Sequence, residues 1–178
     1  MTNSAEAITS YVFKSSDVLL LDANVWLFVY GPHKPGDGKA AVYSDALAKI
    51  YAAKSRICID VLIVSEFINT YARLKMKLCG DSFASFKQFR KSTQFKPVAW
   101  EIADALKRVL ERCARMDSGF ELIEIDALID EYAVGDSDFN DQILITMCKR
   151  AGLKLVTDDG DFKDRGIPVI TANRRLLG

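Results

Sequence analysis

The run Val18–Leu21 (VLLL) ends abruptly at Asp22. Four apolar residues without polar alternation read as a parallel strand buried on both faces. A carboxylate that closes such a strand is costly unless something pairs with it. This one segment calls for helices over both faces of a sheet and for a partner to the charge at the strand's end.

The rest of the chain supplies the helices. Asn24 is placed to cap one that starts near Val25 and stops in the turn-rich GPHKPGDG at 31–38. Between Gly38 and Lys54, residues Ala41, Val42, Ala46, Leu47 and Ile50 recur at nearly helical spacing. Arg56–Ile59 (RICI) reads as the next strand. A long helix over Asp60–Lys77 follows, with Val61, Val64, Ile68, Tyr71 and Leu74 as its expected apolar side. Phe83, Phe86 and Phe89 predict a packed helix within 79–94, and Pro97 is suited to open another that runs to about Met116. Glu121–Ile125 (ELIEI) reads as a strand, with a short acidic helix from Ala127. Phe139–Ala151 reads as a helix stopped by Gly152, Leu153–Thr157 as a strand entering the loop DDGD, and Pro168–Thr171 as a last strand before Arg174 and Arg175. Strands alternating with helices predict an α/β fold: a three-layer α/β/α arrangement around a central parallel sheet. The expectation is a single domain over residues 1–178, expanded by helices at about 78–118.

With 49% apolar and 27% charged residues, the 178-residue chain can bury a real core. The opening MTNSAEAITSYVFKSSD has neither a basic start nor an apolar run, so no signal peptide is expected. Val18–Tyr30 is too short and too interrupted to cross a bilayer. Four scattered cysteines and one histidine, His33, argue against a zinc site and for reduced thiols in a cytoplasm. The formal net charge is zero, but its distribution is uneven. From Arg73 to Lys96 the charged residues are basic except for Asp81, whereas Asp126–Asp161 is dominated by acids. A basic flank beside an acidic centre suits metal-assisted chemistry on a polyanion; solvated helix faces are the plainer reading of the basic run.

Ligands of open parallel sheets bind beyond the carboxyl ends of the strands. Asp22, Asp158, Asp159 and Asp161 fall at such ends, and Asp141 opens a helix whose preceding loop faces the same way. Glu66 lies in a helix on a polar stripe with Asn69, Thr70 and Arg73. If these groups converge, their repulsion calls for a cation, and an all-oxygen set selects Mg2+ or Mn2+. Read singly, each acid has a plainer role. Asp141 serves equally well as a charge that complements the helix dipole, and Asp138 serves better as an N-cap. Asp159 and Asp161 fit a turn around Gly160, and Glu66 fits a solvent-facing position.

In order and context these residues resemble the PIN domain, known from the toxin ribonucleases of bacterial toxin–antitoxin pairs. LLLDANVW carries Asp22 and Asn24 as the strand followed by D-x-N, and VLIVSEFINTYAR carries Glu66 on the second long helix. DFNDQILITMCKRAGLKLVTDDGDF carries Asp141 at its helix start and Thr157, Asp159, Asp161 and Phe162 as T-x-D-x-D-F. The middle of this chain is longer than in the compact toxins.

The resemblance implies Mg2+- or Mn2+-dependent cleavage of RNA phosphodiesters. Asp22, Glu66, Asp141 and Asp159 would act at the centre, with Asp161 completing the ion's shell and Asn24 and Thr157 orienting the carboxylates. Lys75, Lys77, Lys87, Arg90 and Lys91, with Arg174 and Arg175, would hold the RNA backbone. The implied partners are an RNA substrate, a cognate antitoxin protein and a second copy of the chain.

Two rivals differ in class. A haloacid-dehalogenase-like phosphatase shares the strand-end Asp22 and a GDSDFND segment, but it needs a second aspartate where Asn24 stands, and Asp136 follows a helix rather than a strand. A non-catalytic PIN-like binding module would be expected to have lost acidic positions, and here every matched position is acidic.

Overall fold

The computed structural model describes residues 5–32, 38–135 and 138–178; His33, Asp136 and most of the 31–38 turn lie outside the described residues. Strands β1 (Ala5–Ala7), β2 (Val18–Leu21), β3 (Arg56–Ile59), β4 (Ala114–Arg115), β5 (Lys154–Val156) and β6 (Val169–Thr171) form one six-stranded sheet ordered β1-β6-β5-β2-β3-β4. Every neighbouring pair is parallel. The helices are α1 (Ala23–Tyr30), α2 (Gly38–Ala52), α3 (Val61–Leu78), α4 (Phe86–Lys91), α5 (Phe95–Leu110), α6 (Ile125–Val134), α7 (Phe139–Ala151) and α8 (Arg174–Leu177).

From β2 the chain steps outward to β3 and then β4, after which it returns past them to β5 and β6. Parallel crossovers are right-handed, so the outward steps lay α1–α5 on one face and the return lays α6 and α7 on the other. The result is the expected α/β/α sandwich. Strand β2 lies between β3 and β5, and Leu19, Leu20 and Leu21 are buried, as its apolar composition requires. The strand order reverses between β2 and β5, so the connections leave the carboxyl ends of these two paired strands in opposite directions, the kind of place where open parallel sheets bind ligands. Among the described residues, no helix is long and apolar enough to cross a membrane.

The two ends of β2 are treated differently. At its start Asp17 is buried and accepts hydrogen bonds from Lys154 Nζ on β5 (2.8 Å) and from the Lys14 amide (2.9 Å). Burial alone would raise the Asp17 carboxyl; these bonds outweigh it and hold its pKa below the ordinary value. At its end Asp22 has no cation within ion-pair distance among the described residues.

Several local expectations need correction. Helix α1 starts at Ala23 with Asp22 at the N-cap position, so Asn24 lies inside the first turn and caps nothing. Residues 121–125 are not a strand: a 3-10 turn at Phe120–Leu122 leads into α6, because Leu122 is exposed and Ile123 alone is buried there. The buried stripe of α3 is Ile63, Phe67, Tyr71 and Ala72, whereas Val61 and Ile68 are exposed. Helix α5 starts at Phe95 with Pro97 in its first turn, where a missing N–H costs no helix bond. It stops at Leu110 rather than near Met116, because the open edge of β3 takes up residues 114–116; the Met116 amide bonds to the Ile59 carbonyl at 3.0 Å.

Candidate active site

Asp22 is 4% exposed, and it is held by side chains rather than by charge. Thr157, following β5, donates its hydroxyl proton to Asp22 Oδ2 at 2.6 Å, and Asn24 donates Nδ2–H to the same oxygen at 2.5 Å. The Thr157 oxygen in turn accepts from Asn24 Nδ2 at 3.1 Å and from the Asp159 amide at 3.0 Å. A hydroxyl has one proton to give and two lone pairs to fill, so Thr157 is fully used. Asn24 Oδ1 accepts from the Asp158 amide at 3.2 Å, which fastens α1 to the β5 loop. The Asp161 amide donates to Asp159 Oδ1 at 3.0 Å and fixes that carboxylate in turn. Strand-end position, D-x-N spacing and the T-x-D-x-D run therefore act as one hydrogen-bonded unit.

Around it lie the other acids. Burial raises the Asp22 carboxyl, and the Asp159 charge adds to the effect against the hydrogen bond from Thr157. Glu66, on α3, is pushed up to about 7, first by burial of its carboxyl and then by Asp22, Asp138 and Asp159. Its residue surface is exposed overall, so water reaches the side chain and tempers that shift. Asp141, at the third position of α7, is also pushed up to about 7, by burial and then by Asp22, Asp159, Asp138 and Glu66. These acids, from two helices and two strand ends, are close enough to repel one another. Among the described residues they do not close into a ready-made ligand shell of three or more groups. Asp161 is exposed on the 3-10 turn Gly160–Phe162.

Asp138 does cap α7, accepting from the Asn140 amide at 2.8 Å, and its charge also presses on Glu66 and Asp141. Its capping role alone gave no sign of that. Tyr43 on α2 also escaped the sequence reading. Its buried hydroxyl shares its proton between the Thr157 carbonyl and Asp158 Oδ1 and accepts from the Ala172 amide, joining the ends of β5 and β6. Lys39 pairs with Asp158, so that acid has its own cation. A tyrosine inside an apolar helical period looks like any core aromatic, and only the fold reveals its hydroxyl.

The basic residues do not act as one group. Lys75 is half-buried in an ion pair with Glu101 on α5. Lys77 is exposed on the last turn of α3. Lys87, Arg90 and Lys91 line a cleft on α4 with Phe86. Arg174 and Arg175 are exposed on α8.

A search of curated proteins finds no match to this chain. Among solved structures, a chain of "VapBC2 from Rickettsia felis bound to a DNA fragment from their promoter" has the same fold, with a TM-score of 0.55. It is 15% identical, and the match covers 86% of this chain and 96% of that one. The PIN domain family model matches residues 19–168, which takes in Asp22, Glu66, Asp141 and the Thr157–Asp161 loop. That match leaves no place for the dehalogenase-like alternative: the chain belongs to the PIN domain family.

Proposed function

We propose that this protein is a Mg2+- or Mn2+-dependent endoribonuclease whose ion is held by Asp22, Glu66, Asp141 and Asp159, directly or through water, with Asp161 completing the shell. PIN domains are typically nucleases. The observation that carries the reading is the buried Asp22, without a cation among the described residues and surrounded by acids that repel it. A protein interior does not tolerate such a group unless it is paired. The available donors are carboxylate, amide and hydroxyl oxygens, the set that suits hard divalent ions.

A bound Mg2+ or Mn2+ supplies a lowered water pKa and neutralises charge on a phosphate in transfer. The chain's own part is positional. Thr157 and Asn24 fix the Asp22 carboxylate through Oδ2, and the Asp161 amide fixes Asp159. Burial and the neighbouring acids push the Glu66 and Asp141 carboxyls up to about 7, and a bound cation would favour their charged forms. The test is Mn2+-dependent cleavage of a mixed RNA by the wild type and its loss in Asp22→Asn. A wild type that binds RNA but never cuts it in Mn2+ would leave a binding module instead.

The same proposal gives the protein the role of a toxin with a protein antitoxin, supported by the fold it shares with a chain of the VapBC2 assembly. Expression of the chain alone then stops growth, and co-expression of a partner that covers the acidic centre restores it. Harmless expression without any partner would remove the toxin role and leave the nuclease chemistry standing.

A further inference from the structure

Away from the acidic centre, the most concentrated chemistry on the surface is cationic and aromatic, and it belongs to the helical insert α4–α5. Helix α4 (FKQFRK) carries no acid, and its Lys87, Arg90 and Lys91 line a cleft of about 370 Å3 with Phe86. The cleft is firmly based: Phe89 is fully buried and meets Phe95 edge-on at 5.4 Å, which fastens α4 to the start of α5. One turn into α5, Trp100 leaves 66% of its surface in solvent, with Lys96 Nζ 5.5 Å from the ring centroid. An indole is among the most rewarding groups to bury, so core packing does not explain its exposure.

We propose that the α4 cleft, together with Lys96 and Trp100, is a docking platform for single-stranded RNA, separate from the acidic centre. The choice of RNA over other polyanions rests on the ribonuclease reading; the platform itself rests on charge and exposure. Three cations in a concave surface attract a phosphate backbone. An exposed indole flanked by an ammonium offers an unpaired base a face to stack on, with the charge placed for the neighbouring phosphate. A duplex keeps its base faces stacked internally and gains nothing from the indole. The acidic centre repels the same polyanion until a cation is bound, so affinity for RNA has to come from cations elsewhere on the chain.

The full-length protein is titrated into a fluorescein-labelled, unstructured RNA of about a dozen nucleotides, matching the span of single-strand sites. EDTA is present to prevent cleavage, and anisotropy is read at several KCl concentrations. Trp100→Ala weakens binding by about 5- to 100-fold, and Trp100→Phe restores most of it, as base stacking predicts. Replacing Lys87, Arg90 and Lys91 together with alanine flattens the slope of log Kd against log [KCl] by about 2. Trp26 is buried and Trp100 exposed, so RNA protects the acrylamide-accessible part of the tryptophan emission. In Mn2+ the same variants raise KM more than they lower kcat.

Equal binding by wild type and Trp100→Ala, or equal binding of a duplex, overturns the platform. A dimer that becomes a monomer in Trp100→Ala, with RNA affinity unchanged, reassigns the indole to an interface between copies and also overturns it. If Trp100-dependent binding persists but no RNA is cut in Mn2+, the platform stands and the ribonuclease reading fails. If RNA is cut without any dependence on Trp100, the ribonuclease reading stands and the platform fails.

Discussion

Asp141→Asn separates two accounts of the same carboxylate because they predict opposite signs. As a helix-start charge, Asp141 stabilises α7 through the macrodipole by about 0.3–1 kcal/mol, which asparagine would forfeit. As a member of the crowded acidic centre, it is a liability in the metal-free protein. Its pKa is pushed from 3.8 to about 7 by burial and by the charges of Asp22, Asp159, Asp138 and Glu66. A shift of roughly 3 pK units corresponds to a ceiling of about 4 kcal/mol. Asp141 keeps part of its surface in solvent, and screening reduces that ceiling to about 1–2 kcal/mol. The crowding term therefore exceeds the dipole term, leaving a net gain of about 1 kcal/mol for asparagine, or about 2–4 °C in Tm for a chain of this size. The gain depends on pH. Below the ordinary value of 3.8 the acid is protonated in both folded and unfolded chains and costs nothing. The cost grows as pH rises toward 7 and is complete above it. Thermal melts by circular dichroism in EDTA should show Asp141→Asn more stable than wild type at pH 8 and level with it near pH 4. A variant less stable than wild type at pH 8 would reduce Asp141 to a dipole-complementing charge and remove it from the proposed centre.

Other outcomes follow from the same contacts. Mn2+ at about a hundred times its Kd raises wild-type stability by about 2.7 kcal/mol, or about 5–10 °C in Tm, and leaves Asp22→Asn unmoved; equal shifts in both would place the ion elsewhere. Thr157→Val strips a donor from Asp22 and an acceptor from Asn24 and the Asp159 amide. Urea unfolding should show a loss of about 1–3 kcal/mol that Thr157→Ser largely restores, and a neutral valine variant would disprove the unit. At the other end of β2, the depressed pKa of Asp17 contributes stability that is present above pH 3.8 and lost as pH falls through the folded value. Lys154→Met removes a charged hydrogen bond worth about 1.5–3 kcal/mol at neutral pH, and the difference from wild type should shrink in urea titrations toward pH 2.5.

The sequence made the centre of the fold legible and its margins obscure, for one physical reason. Strand β2, helix α7 and strand β5 bury nearly every apolar residue they carry, so their patterns are uninterrupted and their ends are marked by Asp22, Gly152 and Thr157. Strands β1 and β4 are three and two residues long, too short to show any period, and they exist because sheet edges need backbone partners. The segment 121–125 misled because Ile123 and Ile125 are spaced as the inward residues of a strand would be, yet only Ile123 is buried. Within the centre, Asp22 announced itself through the cost of its burial. The link from Thr157 to Asn24 and the hydroxyl of Tyr43 could be seen only once β2, α2 and β5 had been brought together.

Asp22 and Thr157 are 135 residues apart along the chain, yet one hydrogen bond joins them. The junction between β2 and β5 is thus among the last features to form, after the whole outward excursion through β3, β4 and the helices between them has been laid down. While the chain is being synthesised, residues 1–150 carry Asp22, Glu66 and Asp141 but lack the strand and hydroxyl that would lock them in place. On the ribonuclease reading proposed above, the messenger and the ribosome making the chain are spared until residues 151–178 have emerged and docked.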